Sequence, residues 1–493
     1  VRRAIHASSH LNSFGMIRGL FLYLAVKVFP ALSMIVYMVA MYMSFPSSDY
    51  VAYSAAIAAG VIGAQIASSW IASAIIFYFP LRKGKAAFVT QVLRIAVVSA
   101  SLTSTITAGI FQWLFHDPVL SASVLFLTAA QGLFYVAVAL FQPERRMRSQ
   151  VISAIMLSIT QLLFAAYAIF SNHHSLAMSV AGYGAGFLAG LITLLLYIHW
   201  TWFTRVLRKR QRRLALNEPP LENSKLLAYG GPMFVWFSLM LVNSYTDRFF
   251  LGRVEGPGVA GYAFTKDILI GISGFISMPI MLIAHSMIFR LFREKKEQEL
   301  SQLIKFSTTL LVVLFLFAIF VYASFAKVQL THFSPDLQHV SFFRAVLIGT
   351  GIMLSTLALY SQKKFEVLGH LKQLVVLAAI SNSVAFLAYM YSSSSHSLDY
   401  FAISYAASTL LYFCLTLWTG SNAIRFTINY KMIAFVLAVL VAMHFLAPPS
   451  IYNGQVDWTA VGWAVAWLGV LAAVLMACLF RLYRSLGSGL IHS

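Results

Sequence analysis

Six charged residues stand where hydrocarbon should surround them. Lys27 lies inside the apolar run 19–43, Lys266 inside the run 257–289, and Arg344 early in the run 340–361. Asp247 and Arg248 close the run 230–250, and Asp267 directly follows Lys266. A charge at the centre of a bilayer costs ~2.5–3.5 kcal/mol on insertion scales, so such side chains face a cavity, a partner or a bound ion. Ammonium and guanidinium groups held away from water bind phosphates through charge-assisted hydrogen bonds, the guanidinium as a two-pronged fork. Lys27, Lys266, Arg344 and Arg248 are therefore the candidate substrate-binding residues, and the substrate they suit is anionic. If transport is coupled to H+ or Na+, Asp267 is the first candidate carboxylate and Asp247, at a helix end, the second.

Each of these residues also has a purely structural reading. Asp267 can pair with Lys27 or with a cation of another helix. Lys266 is not its natural partner, because adjacent helical positions point about 100° apart. Asp247 and Arg248 can join Arg253 and Glu255 in an ion-pair network at the outer rim, and Arg344 can snorkel to the outer headgroups.

Catalytic chemistry finds no support in the sequence. No phosphate-cradling GxxxxGK[ST], no HExxH and no GxSxG occurs. His199, His285 and His444 each lack a second ligand three or four residues away, the spacing a helical metal site needs, so no metal centre is expected. Cys414 and Cys478 lie in apolar runs and read as small hydrophobes. The expectation is a non-enzyme with no catalytic residue and no cofactor.

The elements that position these residues follow from composition. The chain has 493 residues, 60% hydrophobic and 10% charged, where a soluble domain carries about 25% charged. The net charge of +20 would suggest a nucleic-acid partner in a soluble protein, but so little polar surface excludes one here. Runs of about 20 apolar residues each suffice for a spanning helix. Fourteen are expected, at 19–43, 51–79, 92–115, 119–142, 151–171, 175–203, 230–250, 257–289, 306–327, 340–361, 371–392, 399–420, 431–449 and 458–480. The chain opens VRRAIHASSH without an apolar core and cleavage site, so no signal peptide is expected to be removed. Cations alternate from connection to connection: Arg82, Lys83 and Lys85 on one side, none between Ser44 and Tyr50 on the other. Roughly 29 of the 35 Lys and Arg fall on one side, which the positive-inside rule makes the cytoplasm, with both termini there. Outer connections are too short for a folded domain, which weighs against a membrane enzyme of glycan assembly.

The basic connection 204–229 divides the chain after six spans. The opening of the second span, FPSSDYVAYSAAIAAGVIG (45–63), aligns with that of the eighth, VEGPGVAGYAFTKDILIGIS (254–273), when Tyr53 is placed on Tyr262. The preceding spans carry Pro30 and Pro232 in their inner halves. Two parallel six-helix halves are expected, 1–203 and 230–420, followed by two further helices in 421–493.

The stretch NSYTDRFFLGRVEGPGVAGYAFTKDI (243–268) resembles the junction of the seventh and eighth helices in polysaccharide flippases of the multidrug/oligosaccharidyl-lipid/polysaccharide exporter superfamily. The segment MSFPSSDYVAYSAAIA (43–58) is similar to their first loop, though Val51 and Ala52 replace the usual glycine-containing pattern before Tyr53. This resemblance implies an all-helical fold of two six-helix lobes plus two helices. It also implies alternating-access export of an undecaprenyl-diphosphate-linked oligosaccharide across the bacterial inner membrane, for exopolysaccharide, capsule or O-antigen. The implied partners are the lipid-linked anionic oligosaccharide, membrane lipids, a polysaccharide polymerase and a chain-length regulator. The alternative within the superfamily is a cation-coupled exporter of small cationic drugs, disfavoured by a surplus of intramembrane cations over acids. The string Asp247-Arg248 with Gly252-Arg253 also resembles the DRxGR signature of major facilitator transporters. That signature belongs to a cytoplasmic loop after the second span, and here the string falls on the outer side after the seventh.

The topology is checked with alkaline phosphatase fusions. A fusion after Asp117, in an outer connection, should be active, and one after Arg210 should be inactive. The reverse pattern would invert the orientation.

Overall fold

In the computed structural model, the residues described are 12–79, 85–141, 147–171, 175–206, 222–254, 256, 258–326, 335–420, 424–446, 466 and 469. All of the regular structure among them is helical. In chain order the helices are α1 (Asn12–Ser44), α2 (Ser47–Tyr78), α3 (Lys85–Phe115), α4 (Pro118–Phe141), α5 (Met147–Phe170), α6 (Leu176–Val206) and α7 (Asn223–Leu251). They continue with α8 (Val259–Arg293), α9 (Glu297–Val321), α10 (Phe342–Ser361), α11 (Lys363–Leu368), α12 (Leu371–Ser394), α13 (Leu398–Trp418) and α14 (Tyr430–Leu446). A π-turn, Tyr322–Ala326, ends α9, and a 3-10 turn, Pro335–His339, precedes α10.

Eleven of the helices are long and apolar enough to cross a membrane. They match eleven of the expected spans. The expected seventh and thirteenth spans are also helical, as α7 and the 17-residue α14. The fourteenth lies outside the described residues apart from two positions. The fold is thus all-helical and polytopic. Lipid surrounds such a bundle, and apolar side chains face outward accordingly: Val98, Leu102, Ile106, Ile110 and Trp113 form an exposed apolar face of α3.

The chain forms two compact units, one comprising Val1–Phe45 with Ala52–Val242, the other Pro46–Val51 with Asn243–Ser493. The expected linker 204–229 falls mostly outside the described residues. The first turn of α2 and the last turns of α7 belong to the second unit, while the remainder of each helix belongs to the first.

In the first unit, α1 packs on α5, α5 on α6, α6 on α4 and α4 on α3. Small residues set these distances. Gly182, Gly186 and Gly190, at i, i+4 spacing, form a ridge on α6, and a methyl added at Gly186 would lie 3.0 Å from the Leu157 carbonyl oxygen. At that approach the Ser153 hydroxyl reaches across to donate to the Gly190 carbonyl at 2.8 Å. Small residues let helix backbones come this close where no hydrophobic driving force exists between helices in lipid. The hydroxyl-rich stretch Ser99–Thr107 of α3 turns three of its hydroxyls to carbonyls. Ser99 donates to Ala67 across to α2, and Ser104 and Thr105 donate back to Ser101.

In the second unit, α8, α9 and α10 pack on one another, α13 lies between α10 and α12, and α14 packs on α9. Val313 and Phe320 of α9 enclose a buried cluster with Val436, Leu440 and Met443 of α14. The break between α10 and α11 is tied to the end of α13. Tyr412 donates to Gln362 at 3.0 Å, and the Lys364 ammonium donates to the Leu417 carbonyl at 3.0 Å. A cation at a helix C-terminus meets the negative end of the dipole, which explains this buried lysine without a carboxylate.

Gly186→Leu is expected to lower stability by about 1–3 kcal/mol through overpacking against the Leu157 backbone. A fall in the thermal unfolding midpoint of the detergent-solubilised protein would register it, and an unchanged midpoint would refute the close-packed ridge.

Candidate functional site

Helix α8 begins where Gly258 adopts the left-handed conformation, φ 89°. A side chain there would be strained, and its Cβ would lie 2.8 Å from that of His339. From this start α8 presents two neighbouring stripes at helical i, i+4 spacing, Tyr262 with Lys266 and Ala263 with Asp267. The last turn of α7 presents Asp247 and Arg248, which as adjacent helical residues point to different stripes.

The result is a closed network of four charges. Asp247 Oδ2 accepts from Lys266 Nζ at 2.8 Å, from the Tyr262 hydroxyl at 3.1 Å and from Arg248 Nη1 at 3.3 Å. Arg248 Nη2 donates to Asp267 Oδ1 at 2.6 Å and to the Ala263 carbonyl at 3.2 Å. Asp267 Oδ2 accepts from the hydroxyl of Tyr50, in the first turn of α2, at 3.1 Å. The Lys266 ammonium also sits 3.7 Å from the centroid of the Tyr405 ring, on α13, in cation–π contact. Asp247, Arg248 and Lys266 are wholly buried and Asp267 is 5% exposed. Two acids and two cations cancel. Two atoms stay without a hydrogen-bond partner, Asp247 Oδ1 and Arg248 Nε.

Four of the six sequence candidates therefore meet in one place. Asp267 pairs with a cation of another helix, Arg248, and not with its neighbour Lys266, as the helical geometry required. The expected outer-rim network is corrected: Asp247 and Arg248 are buried and turned toward α8. Arg253 instead lies 6.0 Å from the Phe250 ring centroid, and Glu255 is outside the described residues. The sequence reading passed over Tyr50, Tyr262 and Tyr405. For Tyr262 the signal was present, since its i, i+4 spacing from Lys266 places both on one face.

Arg344 stands apart, in the first turn of α10, where Ser341 caps the helix by accepting from the Arg344 amide. Its Nε donates to Asp399 Oδ1 at 2.9 Å and its Nη1 to the His339 carbonyl at 2.8 Å. Lys27 belongs to the other unit, half-buried on α1. Among the described residues it has neither hydrogen bond nor ion pair. Of the acids before residue 243, the described ones (Asp49, Asp117 and Glu222) lie at a helix end or in a connection, and none of the first six apolar runs contains a carboxylate that could serve Lys27. Pro30, one turn on, lacks the amide that would bond the Val26 carbonyl, and the Ser33 hydroxyl donates to the Pro30 carbonyl at 3.0 Å.

No protein-family model and no curated protein matches the sequence. Solved structures do match. A lipid II flippase, MurJ in an inward closed conformation, superposes with a TM-score of 0.66 at 11% identity, over 95% of this chain and 99% of that one. The chain has the MurJ and MATE fold. A variant of the Vibrio cholerae MATE transporter VcmN superposes with a TM-score of 0.55 at 11% identity, over 81% and 95% of the two chains. A multidrug resistance MATE family transporter of the MOP superfamily, in its inward-facing conformation, does so at 0.51 and 14% identity, over 85% and 96%. These proteins are transporters and a flippase, and the likeness covers nearly their whole length.

Within this fold the buried network holds α7, α8 and the first turn of α2 together, and removing one member strands the others in an apolar setting. Arg248→Met should destabilise by about 3–5 kcal/mol, leaving two carboxylates facing a single cation. The double variant Arg248→Met/Asp267→Leu should recover part of that loss. Thermal unfolding in detergent of wild type, Arg248→Met, Asp267→Leu and the double variant measures it, and simple additivity of the two substitutions would show that the pair does not act as a unit.

Proposed function

We propose that the protein is a flippase of the multidrug/oligosaccharidyl-lipid/polysaccharide exporter superfamily that carries an undecaprenyl-diphosphate-linked oligosaccharide across the bacterial inner membrane. In this reading both termini face the cytoplasm and the exported unit feeds surface polysaccharide assembly. The observation that carries it is Lys27, an ammonium placed within a spanning helix of a unit whose spans contain no carboxylate. A charge so placed is costly unless a ligand of opposite sign completes it, and a diphosphate supplies that sign together with hydrogen-bond acceptors. Fold likeness to a lipid II flippase supports a lipid-linked cargo. Lys266, Arg248 and Arg344 already hold carboxylates or carbonyls, so Lys27 takes the first role at the headgroup, and they support the helices of their own unit.

The cation-coupled drug exporter of the same superfamily is the weaker reading. A cationic drug wants an unpaired carboxylate, and both acids within the spans are neutralised by Arg248 and Lys266.

Complementation of cells that depend on this chain for surface polysaccharide tests the reading. Lys27→Ala should abolish surface polysaccharide and accumulate the lipid-linked unit on the cytoplasmic side, while Lys27→Arg should retain activity within about tenfold, keeping the charge. Full activity of Lys27→Ala would overturn the role of Lys27. Unchanged polysaccharide with altered drug tolerance would favour the exporter instead.

A further inference from the structure

We infer that the Lys266 ammonium occupies, as a tethered ion, the place that a small monovalent cation would otherwise take on Asp247, so that this unit needs no metal ion at its buried acids. The inference is independent of what cargo the protein carries. It begins with Asp247, whose Oδ2 gathers Lys266, Tyr262 and Arg248 while its Oδ1 has no partner. A buried carboxylate of this kind, flanked by a tyrosine hydroxyl and roofed by an aromatic face, has the oxygen donors and the negative potential that hold Na+. What fills the place is Nζ of Lys266, 2.8 Å from the carboxylate and 3.7 Å from the Tyr405 ring centroid. The ammonium is of comparable charge and cannot dissociate.

Charge arithmetic sets the stoichiometry. With Lys266 present the network of Asp247, Asp267, Arg248 and Lys266 is neutral. Without it the sum is −1, and Arg248, bonded to both acids, cannot cancel both. One monovalent cation restores neutrality, whereas a divalent ion would leave a surplus. Shortening residue 266 to alanine opens the space of three methylenes and an ammonium beside Asp247. Exchanging it for methionine removes the charge but leaves the space largely filled. The two substitutions therefore separate loss of charge from creation of a site.

The experiment uses full-length protein purified in detergent, melted in sodium chloride and in choline chloride of equal concentration. Wild type should unfold at the same temperature in both salts. Lys266→Ala should unfold lower than wild type in choline and be raised by about 2–4 °C, saturably, by sodium. Lys266→Met should be destabilised in both salts with no response to sodium. Absence of a sodium response in a folded Lys266→Ala protein would overturn the inference. So would sodium stabilisation of wild type that Asp247→Asn abolishes, a result that needs no Lys266 variant to fold.

Discussion

Charge cancellation away from water governs the second unit. Asp247, Arg248, Lys266 and Asp267 come from two helices joined by a short turn, and none could be buried alone without a penalty of several kcal/mol. Because the guanidinium of Arg248 reaches both acids, the geometry of one fixes that of the other. The turn at Gly258 then sets where α8 starts and hence which of its stripes faces which acid. Tyr405 and Tyr50 bring α13 and the first turn of α2 onto the same network. Apolar packing fills the unit, but lipid is as apolar as leucine, so packing alone gives helices little reason to choose one partner over another. The polar contacts supply that selectivity.

The first unit solves the same problem differently. Its contacts are made by close backbone approach along α6 and by neutral hydrogen bonds, such as Ser33 to Gln161 at 2.8 Å and Tyr37 to the Ser179 carbonyl at 2.6 Å. The two units thus differ in kind. One carries a neutral charge cluster buried away from solvent, the other a cation, Lys27, that has no ion-pair partner among the described residues. Under the proposed function, a cation without an internal partner suits an anionic cargo better than cations that already hold carboxylates.

The helical nature of thirteen of the fourteen expected segments and the small-residue ridge on α6 were legible in the sequence, because spanning length and small-residue spacing are local properties. The six charged candidates were legible for the same reason, as intrusions into apolar runs. Their pairing was only half legible. Adjacent helical residues diverge, so Lys266 and Asp267 could be assigned to different partners from spacing alone. That Asp247 and Arg248 turn inward toward α8 was not, because the direction of the α7–α8 turn depends on a left-handed Gly258 that composition does not reveal. Nor could spacing find Tyr50, which lies 217 residues from the carboxylate it serves.

That separation has a consequence for biogenesis. At ~5–20 residues per second, the ribosome needs on the order of ten to forty seconds to travel from Tyr50 to Asp267. Through that interval the head of α2 waits for its Asp267 contact, and Ser47 waits for Asp336, still further along the chain. The helix can insert, but its first turn meets Asp267 only when α8 arrives. Premature termination anywhere before α8 would leave that end exposed, a mark by which quality control could distinguish an unfinished chain from a finished one.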